Sequence, residues 1–413
     1  MSIQTTTSAF ATPVSGARPT LRGEARFWRI CLALFVGGLA TFAMLYCVQP
    51  MMPAFARNFA LSPAEASLSL SAATGILAVA MFGAGALSDA FGRKRVMTAS
   101  LAAAAGATFA AAFAPNFPVL VALRALTGLA LSGVPAVAMA YLAEEMDRSA
   151  IGLAMGLYIG GSTLGGMGGR LAVAGVADVS GWRAGVAAIG AFSLACSLAF
   201  ALALPVERRT EPKGQGPAVL PAIRAHLADP GLRYLFALGF LLMGAFVTTY
   251  NYIGFRLAAP PFSLSQAAIG FVFVIYLVGA LTSPIVGELA GRFGRRKIIG
   301  PAILMVPLGV LLTLPQSLWL TIVGIGFVTA GFFAGHSIAS SWIGLRAEKA
   351  KAQASALYLF FYYLGSSVAG TLGGWAFAHA GWSGVAAFVG ALALLALGLA
   401  FKLARVPPPA HLR

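Results

Sequence analysis

Residues 30–49 read ICLALFVGGLATFAMLYCVQ, a run with no charged side chain. A helix that crosses a bilayer needs about 20 such residues, and a buried helix of a soluble core is usually shorter. Inside a bilayer the backbone polar groups must be satisfied within the segment itself, which makes this run a helix. The same kind of run recurs along the chain. Twelve apolar segments, numbered here as helices 1 to 12, are expected at 28–49, 67–87, 96–114, 117–141, 150–171, 184–204, 232–255, 266–287, 298–314, 318–342, 354–376 and 383–402. Only 10% of the 413 residues are charged and 59% are hydrophobic, too little polar surface to cover a water-soluble domain. The expected fold class is an all-α membrane protein with twelve transmembrane helices.

A net charge of +16 raises the question of a nucleic-acid partner, and the placement of the bases answers it. If the N-terminus is cytoplasmic, all Lys and Arg residues except Arg57, Arg124, Arg170, Arg183 and Arg256 fall in the tails and cytoplasmic loops. The opposite orientation would break the positive-inside rule. The basicity therefore reports topology, with both termini expected inside, and no nucleic-acid partner is expected. Residues 1–27 are expected to be a disordered cytoplasmic tail, because the apolar run after them exceeds the ~7–15 residues of a signal-peptide core. Cys31, Cys47 and Cys196 all lie in predicted helices without CxxC spacing and read as packing residues; no metal site is expected.

The chain repeats itself. GALSDAFGRKR at 85–95 is echoed by GELAGRFGRRK at 287–297, and GGMGGR at 165–170 by GTLGGW at 370–375, each of the latter pair followed by a Gly-Trp dipeptide (181–182 and 381–382). The two echoes keep nearly the same offset, which fits two pseudo-symmetric six-helix bundles at 28–204 and 232–402. Residues 205–231 between them are rich in Pro, Gly and charge, as a cytoplasmic linker is, and 219–228 within it has the pattern of a short amphipathic helix. Residues 403–413 form a C-terminal cytoplasmic tail. A two-fold repeat of six spans suits alternating access, in which two bundles rock about a central site. The four histidines are scattered singly, so no enzyme-like cluster competes with this reading.

Several motifs carry chemistry. Gly85 and Gly92 permit tight turns and close helix approach, while Arg93, Lys94 and Arg95 anchor a cytoplasmic loop and suit anionic lipid headgroups. Asp89 is placed to accept from backbone donors or an Arg and so latch this loop to a neighbouring helix; the second copy has Gly291 instead. Arg124 lies within helix 4, and an intramembrane Arg is costly enough to be functional by default. A structural Arg bonded to helix carbonyls is the competing reading. No Asp or Glu falls in the middle of a predicted helix. His336, near the middle of helix 10, has the suitable ordinary pKa for carrying a proton, although a lone His can also simply bond a carbonyl.

GALSDAFGRKR resembles the loop between helices 2 and 3 of the major facilitator superfamily, with Gly85, Asp89, Gly92, Arg93, Lys94 and Arg95 at matching positions. LVALRALTGLALSG (120–133) is similar to the helix-4 motif, with Thr127 where that motif has Gln. GSTLGGMGGR (161–170) resembles the Gly-rich helix-5 motif of the antiporters, keeping Gly161, Gly165 and Gly169 but with Gly166 in place of Pro and Arg170 in place of the last Gly. LYCVQPMMP (45–53) looks like the twelve-span drug:proton antiporter branch.

The resemblance implies proton coupling through Arg124, and a cavity lined from helices 1, 4, 7 and 10 by Tyr46, Gln49, Arg124, Tyr250, Asn251 and His336. Tyr158 and Tyr362 add stacking surface. It also implies a Glu144–Arg93 ion pair as part of an inner gate, with Arg295 and Glu348 as its counterpart in the second half. The helix-5 glycines would seal the outer path against helix 8. The expected function is a proton-coupled exporter (antiporter) of a small amphipathic or organic molecule in a bacterial-type inner membrane, acting as a monomer and driven by the proton gradient, without a cofactor. A proton symporter or facilitator for a sugar or organic acid, and a transporter-like sensor, are the alternatives.

Overall fold

The computed structural model describes residues 19–147, 149–208 and 219–407. Among them there is helix and no strand. Helix 1 is Ala25–Tyr46, continued past a 3-10 turn at Gln49–Met51 by Met52–Phe59. Helix 2 is Pro63–Phe91, helix 3 Arg93–Ala111, and helix 4 Phe117–Leu131 with Pro135–Glu145. Ile151–Ala203 is one long rod interrupted at Gly181, which divides it into helices 5 and 6. The second half matches: helix 7 is Pro230–Ala258; helix 8 runs from Gln266–Phe271 through a 3-10 turn to Tyr276–Phe293. Helix 9 is Arg295–Leu312 and helix 10 Leu318–Arg346, and the rod Lys351–Arg405 breaks at Ala380 and Gly381 into helices 11 and 12. The predicted linker helix is present at Val219–Ala228.

The repeat explains where the chain turns. Gly92 and Gly294, the paired loop glycines, have nearly the same backbone (φ 89, ψ 143 and φ 92, ψ 133), as Gly181 and Gly381 share a positive φ. Only glycine takes these angles without strain. Starts are matched as well. Ser62 and Ser265 cap helices 2 and 8, and Asn116 and Ser317 cap helices 4 and 10, each side-chain oxygen accepting a backbone N–H three residues on. Ser62 and Glu65 complete a capping box.

Small residues set the packing inside each half. A Cβ at Gly161 or Gly165 would collide with the helix-1 backbone at Phe35 or Leu39, and one at Gly169 would meet Ala43 Cα at 2.7 Å. Gly365 stands against Phe240 of helix 7 in the same way. This corrects the expectation that the helix-5 glycines face helix 8: they weld helix 5 to helix 1 of their own bundle. Helix 5 meets helix 8 farther along, where Gly270 lies against Ala174. A Cβ at Gly85 would have nothing within 4 Å, so this glycine serves no close approach. Large exposed apolar side chains such as Leu32, Val79, Leu198, Leu281 and Leu394 form the outward surface, as lipid-facing helices require.

The chain's basic end, where the 92 and 294 loops lie, differs from expectation in three places. Within the 1–27 tail, residues 1–18 lie outside the described residues, but Thr20 bridges Met146 and helix 1 already begins at Ala25. Asp89 does not latch a neighbouring helix; it is 56% exposed and sits 3.4 Å from Arg93 of its own loop. Arg295 donates to Ser341 Oγ at 3.3 Å, and the second half instead joins Arg346 to Asp229 as an ion pair.

Candidate functional site

A cavity of about 350 Å³ lies between the two bundles. Helix 1 supplies Tyr46, helix 5 supplies Tyr158 and Arg170, helix 10 supplies His336 and helix 11 supplies Tyr362. Phe42, Phe246, Tyr276, Phe332, Phe333 and Tyr363 add further rings beside aliphatic and small side chains, and among the described residues no Asp or Glu lines it. His336 shares a hydrogen bond with the Tyr358 hydroxyl at 2.8 Å and lies 4.9 Å, ring to ring, from Tyr362. Phe332 stacks with it at 5.7 Å and lies 6.2 Å from Tyr362.

Arg170 forms one end of this cavity; in the sequence it stands out as a departure from a glycine motif and as one of the five bases outside the tails and cytoplasmic loops. It is 1% exposed. Its Nε donates to Gln49 Oε1 at 2.7 Å and its Nη1 to the Gly166 carbonyl at 2.5 Å. Three rings surround the guanidinium, those of Tyr46 (4.3 Å), Tyr276 (4.8 Å) and Phe273 (5.0 Å), an arrangement that stabilises a desolvated cation. The signal for it is a charge inside a run that packs by glycines.

Gln49 and Asn251 do not line the cavity; they close it. Gln49 Nε2 donates to Asn251 Oδ1 at 2.7 Å. Around them, Gln266 Nε2 donates to the Pro50 carbonyl at 2.6 Å and Ala267 N to Asp178 Oδ1 at 3.2 Å. Tyr250 lies behind the wall, its hydroxyl paired with Thr329 at 2.8 Å and its ring 4.9 Å from Tyr276. Arg124 is also away from the cavity. It is fully buried, donating from Nε to the Ser69 carbonyl (3.1 Å) and from Nη2 to the Leu45 carbonyl (2.7 Å). Leu45 is the penultimate residue of helix 1's first part, so its carbonyl has no helical partner ahead, and Arg124 fills that vacancy.

The two ends of the molecule are held differently. Toward the Gln49 end, bonds cross from one bundle to the other, and Ser71 of helix 2 joins Ser367 (2.8 Å) and Thr371 (2.9 Å) of helix 11. At the basic end the ion pairs among the described residues each stay on one side. Arg93 clasps Glu144 through both carboxylate oxygens, with Nε–Oε2 at 2.6 Å. Arg26 pairs with Glu145 at 2.7 Å, and Arg346 with Asp229 at 2.6 Å. Glu207 of the linker caps helix 3, accepting from the N–H groups of Arg93 (2.8 Å) and Lys94 (3.4 Å), where the helix dipole favours an anion. Arg95 is exposed there. Helices 5 and 8 separate toward this end: only Ala154 and Tyr158 are buried over 151–160, and beyond Tyr276 only Gly279 and Ala290 over 277–293.

The comparisons with known proteins agree with this architecture. The family model of the Major Facilitator Superfamily matches residues 34–260 and again 241–413. The chain is 48% identical over 385 residues to the inner membrane transport protein YnfM of Escherichia coli K12, covering 93% of this chain and 92% of that one. It is 43% identical over 385 residues to the MFS-type transporter YybF of Bacillus subtilis, covering 93% and 95%. In fold it is similar to a bacterial homolog of the human lysosomal transporter Spinster in its inward-facing and unoccupied conformation (TM-score 0.78, 16% identity, covering 92% of this chain and 98% of that one). It is also similar to the nucleoside transporter NupG (TM-score 0.73, 15% identity, covering 91% and 98%). The chain belongs to the major facilitator superfamily, as a transporter of that type and not an enzyme.

Proposed function

We propose that the protein is a proton-coupled exporter of small amphipathic organic molecules, working by alternating access in a bacterial inner membrane with both termini cytoplasmic. The observation that carries this reading is the asymmetry of the two ends. Polar bonds join the bundles on the Gln49 side of the cavity, while on the basic side helices 5 and 8 stand apart. With the bases cytoplasmic, this is an inward-facing state in which a substrate enters from the cytoplasm or the inner leaflet. An aromatic wall with one cation and one histidine suits a molecule with an apolar body. His336, bonded to Tyr358, is the side chain on the wall that exchanges the proton, because among the described residues no carboxylate lines it. Arg124 acts from behind the wall by holding helices 1 and 2 in register.

Reconstitution into proteoliposomes with a preset pH gradient tests the proposal. Transported compounds should release protons from the acidic interior, and His336→Gln should abolish that release while leaving substrate binding in place. Transport with no proton movement would overturn the antiport reading and favour a facilitator.

A further inference from the structure

We propose that Arg170 is the anion-binding point of the cavity, and that the molecule it takes is an organic acid whose carboxylate meets the guanidinium while its apolar body lies along the aromatic wall. The inference rests on the cavity being the transport site.

Three observations converge on it. Arg170 is a buried cation on a wall that no carboxylate among the described residues lines. A charge in that position is costly unless it is paired. Its two filled positions go to neutral acceptors, Gln49 and Gly166, so no formal negative charge answers it there. Its Nη2 makes no hydrogen bond among the described residues and is not one of the sealed, unpartnered atoms; it retains surface that the cavity can reach. Contrast Arg124, whose unpartnered Nη1 is sealed away from any cavity.

The geometry also selects the class of anion. With Nε and Nη1 already donating to Gln49 and Gly166, Nη2 is the donor left for a carboxylate oxygen, and a single guanidinium, flanked by rings at 4.3, 4.8 and 5.0 Å, balances a monoanion rather than a multiply charged phosphate ester. The rings of Phe246, Phe332 and Tyr362 on the same wall would contact a ring or chain attached to that carboxylate. Cations are disfavoured by the same Arg170, because like charges in a low-dielectric site repel strongly.

The test is titration calorimetry on the purified full chain in detergent at pH 7.5, with 2-naphthoate, decanoate and their amides, and with (2-naphthylmethyl)trimethylammonium as the cationic probe. The expected result is that at least one carboxylate binds tenfold or more tighter than its own amide and that the cation binds more weakly than either. Arg170→Gln should remove the carboxylate preference and Arg170→Lys should keep part of it. The wild-type carboxylate-to-amide ratio needs no variant, so it stands even if Arg170→Gln fails to fold. Equal affinity for acid and amide, tighter binding of the cation, or no carboxylate binding at millimolar concentration would overturn the inference. Proton release driven only by neutral or cationic compounds would overturn this inference alone, whereas carboxylate preference without proton release would overturn the coupling alone.

Discussion

Gln49 and Asn251 stand 202 residues apart, the separation that relates Gly85 to Gly287, and they hydrogen-bond to each other. They are thus equivalent residues of helices 1 and 7, meeting where the two repeats face one another. A buried donor left without its acceptor costs about 1–3 kcal/mol. Asn251→Ala should therefore shift the closed–open balance at this end roughly 5–150-fold toward opening. Spin labels at positions 57 and 259, on the ends of helices 1 and 7, should report a longer-distance population by double electron–electron resonance. An unchanged distance distribution would show that this bond does not hold the seal.

At the basic end the structure moves the weight from Asp89 to Glu144. Arg93 and Glu144 are 16% and 15% exposed and joined by two hydrogen bonds, whereas Asp89 is 56% exposed at 3.4 Å. Exposed pairs contribute about 0–1 kcal/mol, while breaking a largely buried one leaves an unanswered charge and costs several-fold more. Glu144→Gln should lower thermal stability clearly and Asp89→Asn only slightly, read as Tm in detergent. The double variant Glu144→Gln with Arg93→Gln should recover part of the loss. Equal losses from the two single variants would restore Asp89 as the latch.

Much of this was legible in the residues. The twelve spans follow from apolar length, and the repeat of GALSDAFGRKR located both halves, because a positive-φ turn admits few residues but glycine. Tyr46, Tyr158, His336 and Tyr362 do reach one cavity. Depth was less legible: Gln49, Arg124 and Tyr250 are polar residues on the expected helices, yet each is turned into a helix–helix contact, and for Gln49 that direction depends on the break at 47–51, which no periodicity reveals. Arg170 was hidden because a motif position defines a helix face by its glycines and says nothing of a charge that replaces one. The linker's part was illegible for a similar reason, since Glu207 reaches helix 3 only through tertiary proximity.

The welding of helix 5 to helix 1 makes a prediction with a built-in control. Gly165 has no room for a Cβ, being pressed on the Leu39 backbone, whereas Gly168, on the same helix, has nothing within 4 Å. Gly165→Ala should be destabilising by about 1–3 kcal/mol, as overpacking is, and Gly168→Ala neutral or stabilising by about 0.5–1 kcal/mol through helix propensity. Thermal unfolding in detergent checks both. A tolerated Gly165→Leu would mean that helix 5 slides freely on helix 1.

Arg124 separates a packing role from a coupling role. Its bonds reach Leu45 and Ser69, so Arg124→Ala should leave the Leu45 carbonyl without a partner, take a second bond from the Ser69 carbonyl and lower Tm, not merely silence transport. Arg124→Lys, which keeps the charge but cannot reach two carbonyls from a fixed fork, should recover stability in part. Arg124→Ala with wild-type Tm and no proton release would instead make it a coupling residue alone.

Asp229 and Arg346 give the fold an acid limit. Burial tends to raise the Asp229 carboxyl, but the two hydrogen bonds from Arg346 and the one from Leu232 N–H outweigh it and hold the group below its ordinary 3.8. A carboxyl lowered in the folded state adds stability that is present above its unfolded value and lost as pH falls through the folded one. The pair ties the start of helix 7 to the end of helix 10 and lies outside the membrane-spanning stretch, so bulk pH reaches it. Lowering pH from 5 toward 3 should therefore reduce Tm more in the wild-type protein than in Asp229→Asn, which lacks the titrating group but keeps the cap to Leu232. Parallel acid curves for the two proteins would show that this ion pair contributes nothing to the acid limit.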